Sequence, residues 1–136
     1  MKSTVLAGLL TTVMALTVAT APGFAHHGTG INYDNTHRVE MKGVVTEFAW
    51  KNPHTQLYMD VKDEKGNVVH FAVEMNSPGV LSRDGWTRHE FKPGDQVAIS
   101  VYPSRAGAPV GECLTPASCK ITINGQPPVA DESNDN

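Results

Sequence analysis

The sequence predicts a small, mainly β domain: a five-stranded barrel with one short helix between strands 3 and 4. Three observations predict it. From Val39 to Gly125 the apolar residues recur mostly at every second position, the period of a strand with one buried face. The turn-forming clusters "NPH", "KDEKGN" and "KPGD" cut that pattern into segments of strand length. The stretch that breaks the period, "NSPGVLSRDGW", carries helix-start and helix-stop residues and follows the third segment.

The first strand is "VEMKGVVTEFAW", with Gly43 predicted as a bulge or bend. "NPH", Asn52 to His54, is a turn. "TQLYMDV" alternates, with Leu57, Met59 and Val61 on one face and Gln56, Tyr58 and Asp60 on the other. After the hairpin signal "KDEKGN", the third strand "VVHFAVEM" sets Val69, Phe71, Val73 and Met75 against His70, Ala72 and Glu74. Matching the apolar faces places Met59 opposite Phe71, Asp60 opposite His70 and Gln56 opposite Glu74. His54 then falls near Asn76, one step from Glu74 on the same side.

Ser77 suits a helix cap, Pro78 the first helical position and Gly85 the position past the end. "TRHE" repeats a capping-box pattern at Thr87 and Glu90, which predicts a further helical turn after Trp86. "QVAISVY" is the fourth strand, with Val97, Ile99 and Val101 alternating, and "KITING" the fifth. "QPPVADESNDN" has no core-forming pattern and is expected to be mobile. Three strands, a helix and two strands follow the order of an OB-like β-barrel; an open five-stranded sheet or a sandwich is the alternative.

Residues 1–25 read as a signal peptide. Lys2 supplies the positive start, Val5 to Ala19 an apolar run, and "GFA" small residues before a cleavage point after Ala25. A cut after "ATA" is the rival, but it would leave Pro22 next to the scissile bond. The domains expected are thus 1–25 signal peptide, 26–38 N-terminal segment, 39–124 barrel and 125–136 tail. The implied location is the periplasm, with no membrane insertion after the signal is removed.

Processing would leave 111 of the 136 residues, enough for one domain with a modest core. Removing Lys2 leaves ten Lys and Arg against 14 Asp and Glu, a balance of −4. A mildly acidic chain with dispersed charge argues against nucleic acid, which calls for a basic stripe. Cys113 and Cys119 in "CLTPASC" read first as a disulfide closing a small loop in an exported protein. A soft metal-ligand pair is the sharper reading, yet it has no neighbouring histidine.

Cleavage after Ala25 would place "HHGTG" at the new start. His26 could then chelate a metal through its amine and Nδ1, and an imidazole from the fold would complete a nitrogen site that suits Cu(II). His27 offers a competing chelate through the amine, a backbone amide and its own ring. A frayed polar leader with adventitious metal affinity is the plain alternative. His54, on the rim at "NPH", is the candidate third ligand; stabilising its turn is the other role open to it. His70 is explained by an ion pair with Asp60, and His37 and His89 are expected on the surface. Glu74 is a candidate weak donor or an acceptor behind His54. Met41, Met59 and Met75 are expected in or near the core. Trp50 and Trp86 mark either core packing or an exposed aromatic patch.

The segments "AHH", "GVVTEFAWKNPH", "LYMDVKDEKGNVVHFAVE", "SPGVLSRDGWTR" and "FKPGDQVAISVYP" occur in that order. Together they resemble a family of small exported proteobacterial proteins known as a domain of unknown function, from about His26 to Gly107. The resemblance implies secretion, one β-rich domain, a His-His start and a Trp-x-Asn-Pro-His element, here Trp50 to His54. It brings no activity or catalytic residue. "VGECLTPASCK" departs from the family pattern, so the disulfide draws no support from it.

Copper is the cofactor expected, held by His26, His27 and His54 in an accessory or chaperone-type protein that meets a periplasmic protein partner. The alternative is a binding module for a protein or small ligand, without metal or catalysis. No nucleophile elbow or Ser/His/Asp arrangement is present, so no enzyme is expected, copper-dependent oxidase or monooxygenase chemistry being the exception.

Overall fold

The computed structural model describes residues 32–129; residues 1–25, read above as a signal peptide, and His26 and His27 lie outside them. The strands are β1 (Val39–Ala49), β2 (Gln56–Lys62), β3 (Val68–Glu74), β4 (Gln96–Pro103), β5 (Val110–Glu112) and β6 (Thr122–Ile123), with α1 (Pro78–Arg83) between β3 and β4. Neighbours run β1-β2-β3-β5-β4, and β1 also pairs with β4, so five strands close into a barrel. All pairings are antiparallel except β3–β5, which is parallel. This is the OB-like arrangement.

The β2–β3 hairpin has the register that parity dictates: Gln56 faces Glu74, Met59 faces Phe71 and Asp60 faces His70. A one-residue slip would turn Leu57, Met59 and Val73, all fully buried, out to solvent. Asp63 closes the turn by accepting from the Lys65 and Asn67 amides at 2.8 Å each. His70 Nδ1 lies 2.6 Å from Asp60 Oδ1.

β1 serves two partners. Val39 to Val44 pair with β4, and Gly43 to Ala49 pair with β2. The strand must therefore bend, and Gly43 lies where the two ladders overlap. The bulge itself falls one turn of the pleat later, at Thr46, where the register shifts between Val45 and Glu47. Gly43 is the point of close approach instead: a Cβ there would sit 2.6 Å from Asp60 O.

Helix α1 begins at Pro78 after Ser77, and Gly85, at φ 87°, follows its end. Ser77 makes no capping bond through its side chain; its amide donates to Asn76 Oδ1 instead. Leu81 drives into the core. The further helical turn expected at "TRHE" is absent. Glu90 N–H bonds to Thr87 O in a single turn, and Thr87 Oγ1 accepts from His89 N–H. Trp86 and Phe91 are both buried, with ring centroids 5.7 Å apart, and a short turn between them keeps both rings inward where a continuing helix would not. Trp50 is half-buried against the core, so the two tryptophans form no exposed aromatic patch.

The strand that closes the barrel is β5, not "KITING". From "KITING" the structure takes only Thr122–Ile123, as β6 on β4. β5 and β6 lie along the same edge of β4: Gly111 opposite Pro103, Glu112 opposite Tyr102, then Ile123 opposite Val97. Between them Cys119 O accepts from Ser100 N–H at 2.7 Å, while Cys113 N–H donates to Glu74 O. Cys113 and Cys119, both buried, are joined in a disulfide. They are thus one interrupted strand with a closed loop in its middle. Past β6, Gln126 pairs back on Ile123 and Pro128 is buried, so barrel contacts extend beyond residue 124.

Met59 and Met75 are fully buried, and Met41 packs on the core from its edge, which is gap-filling work.

Candidate functional site

One in-register belt of outward side chains crosses four strands. Gln56 on β2 faces Glu74 on β3, Glu74 faces Glu112 on β5, and Glu112 faces Tyr102 on β4. Arg38, just ahead of β1, stacks over the Tyr102 ring at 4.0 Å and donates to Ser100 O and Ser118 Oγ. This is the outer face over β2 and β3, the side on which OB-type barrels receive ligands.

His54 joins the belt from the rim. Its turn contains a cis Asn52–Pro53 bond, and Thr55 extends the β2–β3 ladder through bonds with Asn76 O and the Met75 amide. The imidazole Nδ1 lies 3.2 Å from Met75 O and 3.3 Å from Glu74 Oε1. Two acceptors face that nitrogen, which assigns the proton of the neutral ring to Nδ1 and leaves the Nε2 lone pair as a donor. Metal-ligating histidines usually donate their other ring N–H to a carbonyl or carboxylate, and a histidine that only braces its turn on backbone makes the same contact.

Tyr33 reaches the same carboxylate from the other side and escaped the sequence reading. Its hydroxyl donates to Glu74 Oε2 at 2.7 Å. Burial, then the bond to Glu74 and the charges of Glu74 and Glu112, push the Tyr33 hydroxyl well above the ordinary phenol range, so it stays protonated. Its backbone is pinned by Arg105 Nε, which donates to Tyr33 O at 3.1 Å, and by a bridge to Ser104. No period marks "INYDN"; the one signal was a lone tyrosine in a polar stretch.

Glu112 was also missed. Burial, then the neighbouring Glu74 charge, push its carboxyl up, against the opposing pull of His54 and Arg38. A carboxyl raised by folding adds stability only below its ordinary range, and that contribution is lost as pH rises through the raised value. Ionised Glu112 therefore works against the fold at neutral pH. Glu112→Gln is expected to raise the melting temperature at pH 7 by roughly 1–3 °C, since solvent screening keeps the effect below about 1 kcal/mol. The gain disappears below about pH 4, where both states are protonated. Melting curves at the two pH values check it; an equal gain at both would refute the charge origin.

Of the candidate ligands, the structure brings His54 and Glu74 together. His37 is exposed, 3.3 Å from Asp34, and His89 is exposed. The cysteines are bonded to one another. Among the described residues no group of three or more His, Cys, Asp or Glu side chains is placed to hold a metal ion.

Barrel and belt together define a small OB-like protein with His54, Glu74 and Tyr33 clustered on its outer face. The chain belongs to a family of unknown function, DUF6152, whose model matches residues 13–113. No curated protein matches the chain.

Proposed function

We propose that this is an exported, periplasmic metal-binding protein of accessory or chaperone type. Copper is the metal, and His26, His27 and His54 hold it after cleavage behind Ala25. The observation that supports this reading most is the setting of His54, whose Nδ1 lies 3.2 Å from Met75 O and 3.3 Å from Glu74 Oε1. With the proton of the neutral tautomer on Nδ1, the Nε2 lone pair is a donor that suits Cu(II).

Intact mass and Cu(II) titration on natively exported protein test the reading. A chain that begins at His26 and binds one copper tightly is expected. One extra N-terminal residue, or His26→Ala with His27→Ala, should weaken binding by roughly 100-fold or more, because linked donors lose their shared effective concentration. Equal affinity in those variants removes the chelate.

A second reading, a metal-free binding module, is favoured by a shallow apolar groove of about 430 Å³ beside the belt, lined in part by Tyr58, Ala72, Pro109 and Val110. It predicts that the double histidine variant keeps its cellular role.

A further inference from the structure

Glu74 bridges two side chains with one oxygen each: Oε2 accepts from the Tyr33 hydroxyl at 2.7 Å, and Oε1 faces His54 Nδ1 at 3.3 Å. The last torsion of a glutamate is broad and soft. A single contact would leave the carboxylate free to turn away from His54, whereas two contacts fix its plane. Tyr33 is itself held: it is buried, its carbonyl accepts from Arg105 Nε, and the amide of Asp34 donates to Pro103 O at 2.8 Å. A neutral imidazole can carry its proton on either nitrogen, and the hydrogen bonds around it decide which.

We infer that Tyr33 is a positioning residue which, by holding Glu74, keeps the His54 proton on Nδ1 and frees Nε2 to bind a metal. The consequence for metal rests on the function proposed above; the effect on the tautomer does not.

Nitrogen-resolved NMR of His54 in the metal-free, processed full chain, read on the neutral form of the ring, tests the first step. The wild-type proton is expected on Nδ1. Tyr33→Phe removes only a hydroxyl and should shift the population toward Nε2–H, in part only, because Met75 O still accepts. Glu74→Ala, at a partly buried position whose side chain is 21% exposed, should shift it at least as far and guards against a folding failure of the first variant. An unchanged tautomer in both variants overturns the inference.

Cu(II) titration tests the second step. Tyr33→Phe is expected to lower affinity by about tenfold, the low end for partners behind a ligand, and to add nothing in a His54→Ala background. A merely structural role would instead cost affinity equally in both backgrounds and overturn the inference. A tautomer shift with unchanged copper affinity supports Tyr33 as the residue that orients His54 and overturns His54 as a ligand, and with it the proposed site.

Discussion

Gly43→Ala is expected to destabilise the protein by about 2–3 kcal/mol, an overpacking cost, and to lower its melting temperature by roughly 10 °C or more. Gly43 is shared by the β1–β2 and β1–β4 ladders, facing Val61 in one and Val97 in the other. An added methyl would stand 2.6 Å from Asp60 O and 3.1 Å from Val61 Cγ2. The valine methyl can give way by a rotation, but the Asp60 carbonyl is backbone of the neighbouring strand. Relief requires parting β1 from β2, at the bend on which closure depends. Gly79→Ala is the control: nothing lies within 4 Å of the added atom, and a change within about 0.5 kcal/mol is expected. Thermal melts of both decide it; similar values for the two would refute the close-approach account.

Reducing the disulfide, or replacing Cys113 and Cys119 together by alanine, is expected to cost about 2–3 kcal/mol, the lower range for a bridge that closes a short loop. The bridge spans a sequence separation of 6. Its effect is placed at the seam of the barrel. Cys113 bonds to the end of β3 through Glu74 O, and Cys119 bonds to β4 through Ser100 N–H. Arg38 donates to Ser118 Oγ in the same loop. Loosening the loop frees both β5, only three residues long, and the two-residue β6. Urea unfolding with and without reductant measures the loss as a lower midpoint. Coincident curves would show that the seam holds without the bridge.

The first three strands and the helix were legible because their information is local. Alternation marks which side of a strand is apolar, and a short hairpin leaves one parity for pairing, so Asp60–His70 and Gln56–Glu74 follow from the sequence. The same parity put His54 near Glu74. β5 was not legible. "VGE" is too short to show a period, and its apolar neighbour on the inner side is Gly111, chosen for space: a Cβ there would meet Val101 Cγ2 at 2.6 Å. "KITING" has the better pattern but arrives at β4 after the disulfide loop, with the barrel already closed. "TRHE" carries a capping signature that two inward aromatics override.

The site divides in the same way. His54 stood out as a histidine on a rim, whereas Tyr33 and Glu112 carry no sign of their role. Tyr33 meets Glu74 across 41 positions of sequence, and Glu112 reaches it through a parallel pairing. By itself the sequence determined the identity of β1 to β4, the hairpin register and the candidate histidines, because these depend on neighbours a few residues apart. Only the tertiary structure decided which strand closes the barrel and which side chains surround Glu74. Those contacts join distant segments whose meeting depends on backbone clearance and closure, and neither leaves a periodic trace along the chain.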